Sequence, residues 1–127
     1  MPFSLLWDTE AAKTYTALKA RAEKSVQNRK KSKKTKASKE EGLFKQVKKC
    51  IKFLRTNPRH PGLATYPYSA IPNPYDPREK VFEAYAQQNT PSAYRVFWCY
   101  GPEKGQITII AITAHPCDVL EIRACRE

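Results

Sequence analysis

Apolar positions along the chain fall first into two stripes of helical period, then into three runs of strand character. Ala11, Tyr15, Leu18, Ala22 and Val26 recur at steps of four, three, four and four, which is one face of a helix. Asp8 or Thr9 caps its start, and Glu10 falls in its first turn, where negative charge suits the helix dipole. Leu43, Val47, Cys50, Ile51 and Leu54 form the second stripe. Ser38 and Glu41 stand at capping-box spacing ahead of it. Pro58 ends it near Asn57, because the residue before a proline avoids the helical region. The two helices read as a hairpin whose apolar faces must rest on another layer.

The strand-like runs lie at 79–87, 92–101 and 105–115. The short polar joins "QNTP" and "PEKG" have hairpin spacing, so the runs form a meander. The third, "GQITIIAITAH", is apolar on both faces and belongs inside the sheet. A further short run, "FSLLW" at 3–7, predicts an edge strand. Residues 58–77 hold six of the ten prolines and predict an irregular connection. The expected architecture is α+β, a single domain over 1–127. An N-terminal helical hairpin packs on a small antiparallel sheet of three to four strands.

Charge changes this picture. There are 23 Lys and Arg against 12 Asp and Glu, a formal net charge of +11. That excess favours polyanionic partners: RNA, DNA, an anionic membrane surface or an acidic protein. Residues 28–39, "NRKKSKKTKASK", hold seven basic residues in twelve and no large apolar one. This stretch adds nothing to a core and is either a solvated helix extension or a loop. The four cysteines (50, 99, 117 and 125) have no CxxC spacing, and the two histidines are His60 and His115, a poor set for zinc. Cys50 and Cys99 sit in apolar patterns as small core residues. Reduced thiols and a cytoplasmic location are expected. The start lacks the basic region of a signal peptide, and no apolar run has the roughly 20 residues of a membrane span.

Three stretches carry a resemblance: "NPRHPGL" at 57–63, "AYRVFWCY" at 93–100 and "GQITIIAITAHP" at 105–116. In this order, behind two helices, they resemble the RelE/ParE superfamily of toxins from type II toxin–antitoxin pairs. The resemblance implies a small cytoplasmic toxin. Most such toxins are ribosome-dependent mRNA endoribonucleases that stop translation, without metal or cofactor. Others poison DNA gyrase and cleave nothing. The usual partner is a cognate antitoxin whose extended segment wraps the toxin. A non-toxic, basic nucleic-acid-binding protein of the same fold is a further alternative. The tail "CDVLEIRACRE" departs from the family, offering Arg123 and Arg126 where many members carry a Tyr or Lys.

With single-stranded RNA as substrate, the 2′-OH attacks the neighbouring phosphate, so no protein nucleophile is needed. The protein must take the 2′-OH proton, stabilise charge on phosphorus and protonate the departing 5′-oxygen. Arg95, inside a strand, suits the second task, because its planar fork binds two phosphate oxygens. The resemblance places an arginine there in that role. The structural alternative is an ion pair with Glu83 across the hairpin. His115, at the end of the third run, is a candidate acid or base. His60 reads first as a turn residue. Lys80 is a candidate base, and Arg78 a candidate phosphate contact. Tyr85 and Tyr94 are candidates to stack splayed bases. Lys30, Lys31, Lys33, Lys34 and Lys36 are candidate RNA contacts with no sequence-reading ability of their own. If about six charges of the basic run meet phosphates of a single strand, log K should fall against log salt with a slope of roughly −4. A slope near zero in a salt titration of oligoribonucleotide binding would remove that run from the interface.

Overall fold

A computed structural model describes residues 3–32, 39–63, 65–69, 71–87 and 93–113. Strand β1 (Ser4–Trp7) leads into helix α1 (Thr9–Lys31) and helix α2 (Lys39–Thr56). A single 3-10 turn (Pro61–Leu63) and a two-residue strand β2 (Tyr66–Pro67) follow. The meander is β3 (Phe82–Tyr85), β4 (Arg95–Tyr100) and β5 (Gln106–Thr113). The sheet order is β1-β5-β4-β3-β2. The architecture is the expected α+β one, with β1 at an edge and β5 inside. The sheet is mixed, because β1 runs parallel to β5 while the other neighbours are antiparallel. It has five strands, the fifth being β2 from within the proline-rich connection.

Helix α1 begins where its cap predicts. The Asp8 carboxylate accepts from the Glu10 amide at 3.0 Å, and the Asp8 amide donates to the Ile109 carbonyl at 2.9 Å. One residue therefore satisfies a free helix amide and fastens the helix to the sheet. Ala11, Leu18 and Ala22 are the buried face of α1, and Val47, Cys50, Ile51 and Leu54 that of α2. All of these but Ala22 meet Ala84, Val96, Trp98, Ile107, Ile109 and Ile112 in the main core.

The two helices are clamped by charge at the end where the chain passes from one to the other. Arg29 donates through Nη2 to Glu41 Oε1 at 2.7 Å and through Nε to Oε2 at 3.2 Å. Ser25 Oγ also donates to Glu41 Oε2, at 3.3 Å. Arg29, part of the basic run, thus neutralises the carboxylate that the capping-box spacing assigned to Ser38. Ser38 itself lies outside the described residues. The Glu41 carboxylate holds the Arg29 guanidinium above its ordinary pKa, chiefly through this hydrogen bond.

The other face of the sheet is also covered. Val81, Phe97, Cys99, Ile110 and Ala111 form a second buried cluster, against which Tyr68 and Ile71 of the proline-rich segment pack. A bulge makes this possible. Phe97 pairs with Ala111 and Trp98 with Ile109, which leaves Ile110 without an opposite residue. The extra residue turns Ile110 and Ala111 to the same face, while Ile109 and Ile112 stay with the helices. Asn73 shapes the covering segment from inside: Oδ1 accepts from the Tyr75 and Asp76 amides, and Nδ2 donates to the Lys80 carbonyl. Tyr75 reaches the sheet through a 2.8 Å hydrogen bond between its hydroxyl and that of Thr108. Among the described residues, no helix is long and apolar enough to cross a membrane.

Leu54 is fully buried between the helices and the sheet. Leu54→Ala should lower unfolding stability by about 3 kcal/mol in urea titration; a loss under about 1 kcal/mol would contradict this packing. Burial pushes the Cys50 thiol up to about 12 and the Cys99 thiol up to about 11. Iodoacetamide at pH 8 should therefore leave both unmodified until the protein is denatured, as peptide mapping would show.

Candidate functional site

Strand pairing decides which predicted residues share a surface. Residues opposite one another on antiparallel strands point to the same face. Tyr85 is opposite Arg95, and Glu83 is opposite Phe97. All four therefore lie on the face away from the helices. Alternation puts Tyr94 on the other face, where it packs half-buried against the main core. The adjacent Tyr94 and Arg95 thus serve opposite sides of the sheet.

Arg95 is engaged within the protein. Its Nη1 donates to Glu83 Oε2 at 3.1 Å, and the two side chains are 17% and 8% exposed. Its guanidinium carbon lies 4.5 Å from the centre of the Tyr85 ring, within cation–π range. Its Nε–H is buried without a hydrogen-bond partner. The Glu83 alternative is therefore the observed contact. Glu83 is a buried carboxylate, and pairing is what makes its burial tolerable. Arg95→Ala would therefore strand that charge and destabilise the fold.

The remaining candidates do not gather around Arg95. Lys80 is exposed and precedes β3, whereas Tyr85 ends it. At about 3.3 Å per residue, Lys80 stands roughly 16 Å along the strand from the Tyr85–Arg95 pair. Lys80 instead borders a cavity of about 550 Å³ in the proline-rich layer, together with Glu79 and Asn73. Arg78 is exposed and bonded to Asp76, whose carboxyl it holds below the usual carboxylate range. Lys30 and Lys31 close the exposed last turn of α1, and Lys30 borders an apolar groove between the helices. Lys33, Lys34, Lys36 and His115 lie outside the described residues. The predicted catalytic trio of Arg95, Lys80 and His115 is thus not assembled among the described residues: Lys80 is too distant to act on a phosphate held by Arg95.

A different set comes together at the end of β3. A groove of about 340 Å³ is lined by Gln46, Lys49, Cys50 and Phe53 of α2, by His60, Gly62 and Leu63, and by Tyr85 and Ala86. Tyr85 borders it from the end of β3, while its ring carries the Arg95 guanidinium on the other face of the sheet. Gln87 braces the corner: its side chain donates to Gln46 Oε1 at 2.9 Å and accepts from the Tyr94 amide at 3.1 Å. His60 has the expected turn role. Its Nδ1 accepts from the Gly62 amide at 2.9 Å, and its ring stacks on Phe53 at 4.1 Å and 7°. A Cβ on residue 62 would lie 2.9 Å from that Nδ1, so the turn needs glycine there. Lys49 Nζ lies 5.6 Å from the centre of the same Phe53 ring. Lys49 escaped sequence reasoning, since it is one of several lysines on a solvated helix face. Its position four residues before Phe53 was the available signal. No protein-family profile matches the chain, and no curated protein or solved structure matches it either.

The ion pair makes a thermodynamic prediction. Glu83→Leu should destabilise the fold by about 3 kcal/mol, because it leaves a buried guanidinium unpaired. Glu83→Leu with Arg95→Met should recover most of that loss in urea unfolding. A double-variant loss equal to the sum of the Glu83→Leu and Arg95→Met losses would show that the pair carries no coupling.

Proposed function

We propose that this protein is a toxin of a type II toxin–antitoxin pair, RelE/ParE-like in architecture, that cleaves mRNA at the ribosome. The observation that carries the reading is the order of elements together with the place of Arg95. A strand, a helical hairpin and a meander follow one another, and the last strand returns beside the first. Arg95 opens β4, the middle strand of the five, and is fixed by Glu83 and Tyr85.

In this reading RNA supplies its own nucleophile. The 2′-oxygen attacks phosphorus, the bond from phosphorus to the 5′-oxygen breaks, and a 2′,3′-cyclic phosphate forms. The 2′-proton leaves to a base, and the 5′-oxygen gains a proton. Arg95 stabilises the charge that builds on the non-bridging oxygens. Glu83 takes Nη1 and so fixes the fork in one orientation, which leaves Nη2 for phosphate. His115 is the proposed proton carrier. Lys80 and Arg78 are left for flanking phosphates. The basic run and the α2 lysines supply attraction to ribosomal RNA. An acidic antitoxin segment would neutralise the same surfaces.

One observation favours a second reading, a non-catalytic nucleic-acid-binding protein. The Glu83–Arg95 pair gives Arg95 a structural task that needs no substrate.

Translation in a bacterial cell-free extract, with mRNA ends mapped, separates the two. Wild type should arrest translation and create new mRNA ends. Arg95→Lys keeps a cation against Glu83 but loses the planar fork, so it should fold and cleave at least about 100-fold more slowly. Arrest without new ends would favour the binding protein. Unchanged cleavage by Arg95→Lys would remove Arg95 from the chemistry.

A further inference from the structure

We propose that the groove between α2 and the end of β3 is a phosphate-binding subsite, with Lys49 supplying charge and His60 a directed hydrogen bond. This deepens the RNA reading and rests on it. The ligand class is a phosphodiester of single-stranded RNA, one that continues past Arg95.

Charge favours an anion in this groove. The groove lining contains Lys49 and His60 and no carboxylate among the described residues. The larger grooves differ: the cavity beside Lys80 includes Glu79, and the groove beside Lys30 includes Glu23 and Glu41. An anion entering the α2–β3 groove meets no fixed negative charge. Lys45, Lys48, Lys52 and Arg55 are exposed on the same helix and raise the local potential.

The two cationic or donor groups are also preorganised. Phe53 holds both groups: the His60 ring is stacked on it, and the Lys49 ammonium lies within cation–π range of it. Because Nδ1 of His60 accepts from the Gly62 amide, Nε2 is the ring nitrogen left to donate. The stack on Phe53 fixes the direction of that donor. A ring donor and an ammonium set on the same Phe53 suit a phosphate, which offers several strong acceptor oxygens.

Tyr85 borders the groove, and its ring carries the Arg95 guanidinium on the opposite face of the sheet. Strand β2 pairs only with Phe82 and Glu83, so the edge of β3 at Tyr85 is uncovered by it. A strand of RNA passing round that edge would place phosphate toward Arg95 on one side and toward Lys49 and His60 on the other. The groove is then a positioning subsite, and it holds RNA without taking part in bond cleavage.

The test titrates a short single-stranded oligoribonucleotide into the full-length protein at several salt concentrations, while NMR follows the His60 ring resonances. Lys49→Gln is compared with Lys104→Gln, an exposed lysine of the β4–β5 turn. Wild-type binding should shift the His60 ring signal. Lys49→Gln should reduce the slope of log K against log salt by about 0.7, the loss of one phosphate contact on a single strand. Lys104→Gln should leave the slope unchanged. If wild type binds but Lys49→Gln behaves like Lys104→Gln, the subsite is overturned and the RNA reading stands. A slope change without movement of the His60 ring also overturns it, because Lys49 then acts as surface charge alone. No binding by wild type overturns both.

Discussion

Burial of β5 on both faces is the constraint from which the rest of the architecture follows. Every residue from Ile107 to Thr113 is buried. One side is covered by the helical hairpin, the other by the proline-rich segment through Tyr68 and Ile71. The chain needs β1 to occupy the open edge of β5, and β1 does so in parallel register from Ser4↔Gln106 to Trp7↔Ile109. The bulge at Ile110 lets one strand feed two cores that strict alternation would separate. An apolar strand of this kind is a hazard if left uncovered, which explains why a proline-rich connection is folded onto the sheet.

Within that frame Arg95 has a defined environment. It lies on the far face at the start of β4, two residues before Phe97 of the second core. A guanidinium there must be paired, and Glu83 on the neighbouring strand pairs it. The pair serves the fold, and in the proposed function it also orients the fork. The same double use marks other charges. Arg29 belongs to the basic run, yet it is consumed by Glu41 in closing the helical hairpin. The strong positive charge of the chain therefore overstates what is free to meet phosphate. The α2 lysines and the groove beside Tyr85 are where exposed cations meet shaped surface.

Much of the fold was legible because periodicity reports burial directly. The stripes of Ala11 to Ala22 and Val47 to Leu54 are the faces that the helices bury. Asp8 could be read as a cap because capping is local. The strand β2, the second core and the bulge at Ile110 were not legible. The connection up to residue 77 has no period, and its described part is held by Asn73 and by contacts distant in sequence. The Glu83–Arg95 pair could be named as an alternative from hairpin pairing alone, and its burial decided the matter. The Lys49–His60 groove was hidden because it forms only when α2, a turn and the end of β3 pack together.

In the proposed function, RNA lies at the corner formed by Arg95, Tyr85 and the adjoining groove. Photo-crosslinking with 4-thiouridine oligoribonucleotides, followed by peptide mapping, tests that placement most directly. The account predicts adducts on the peptides that carry Tyr85 and His60. Adducts confined to residues 28–39 would contradict it, and would leave the basic run as the sole point of contact.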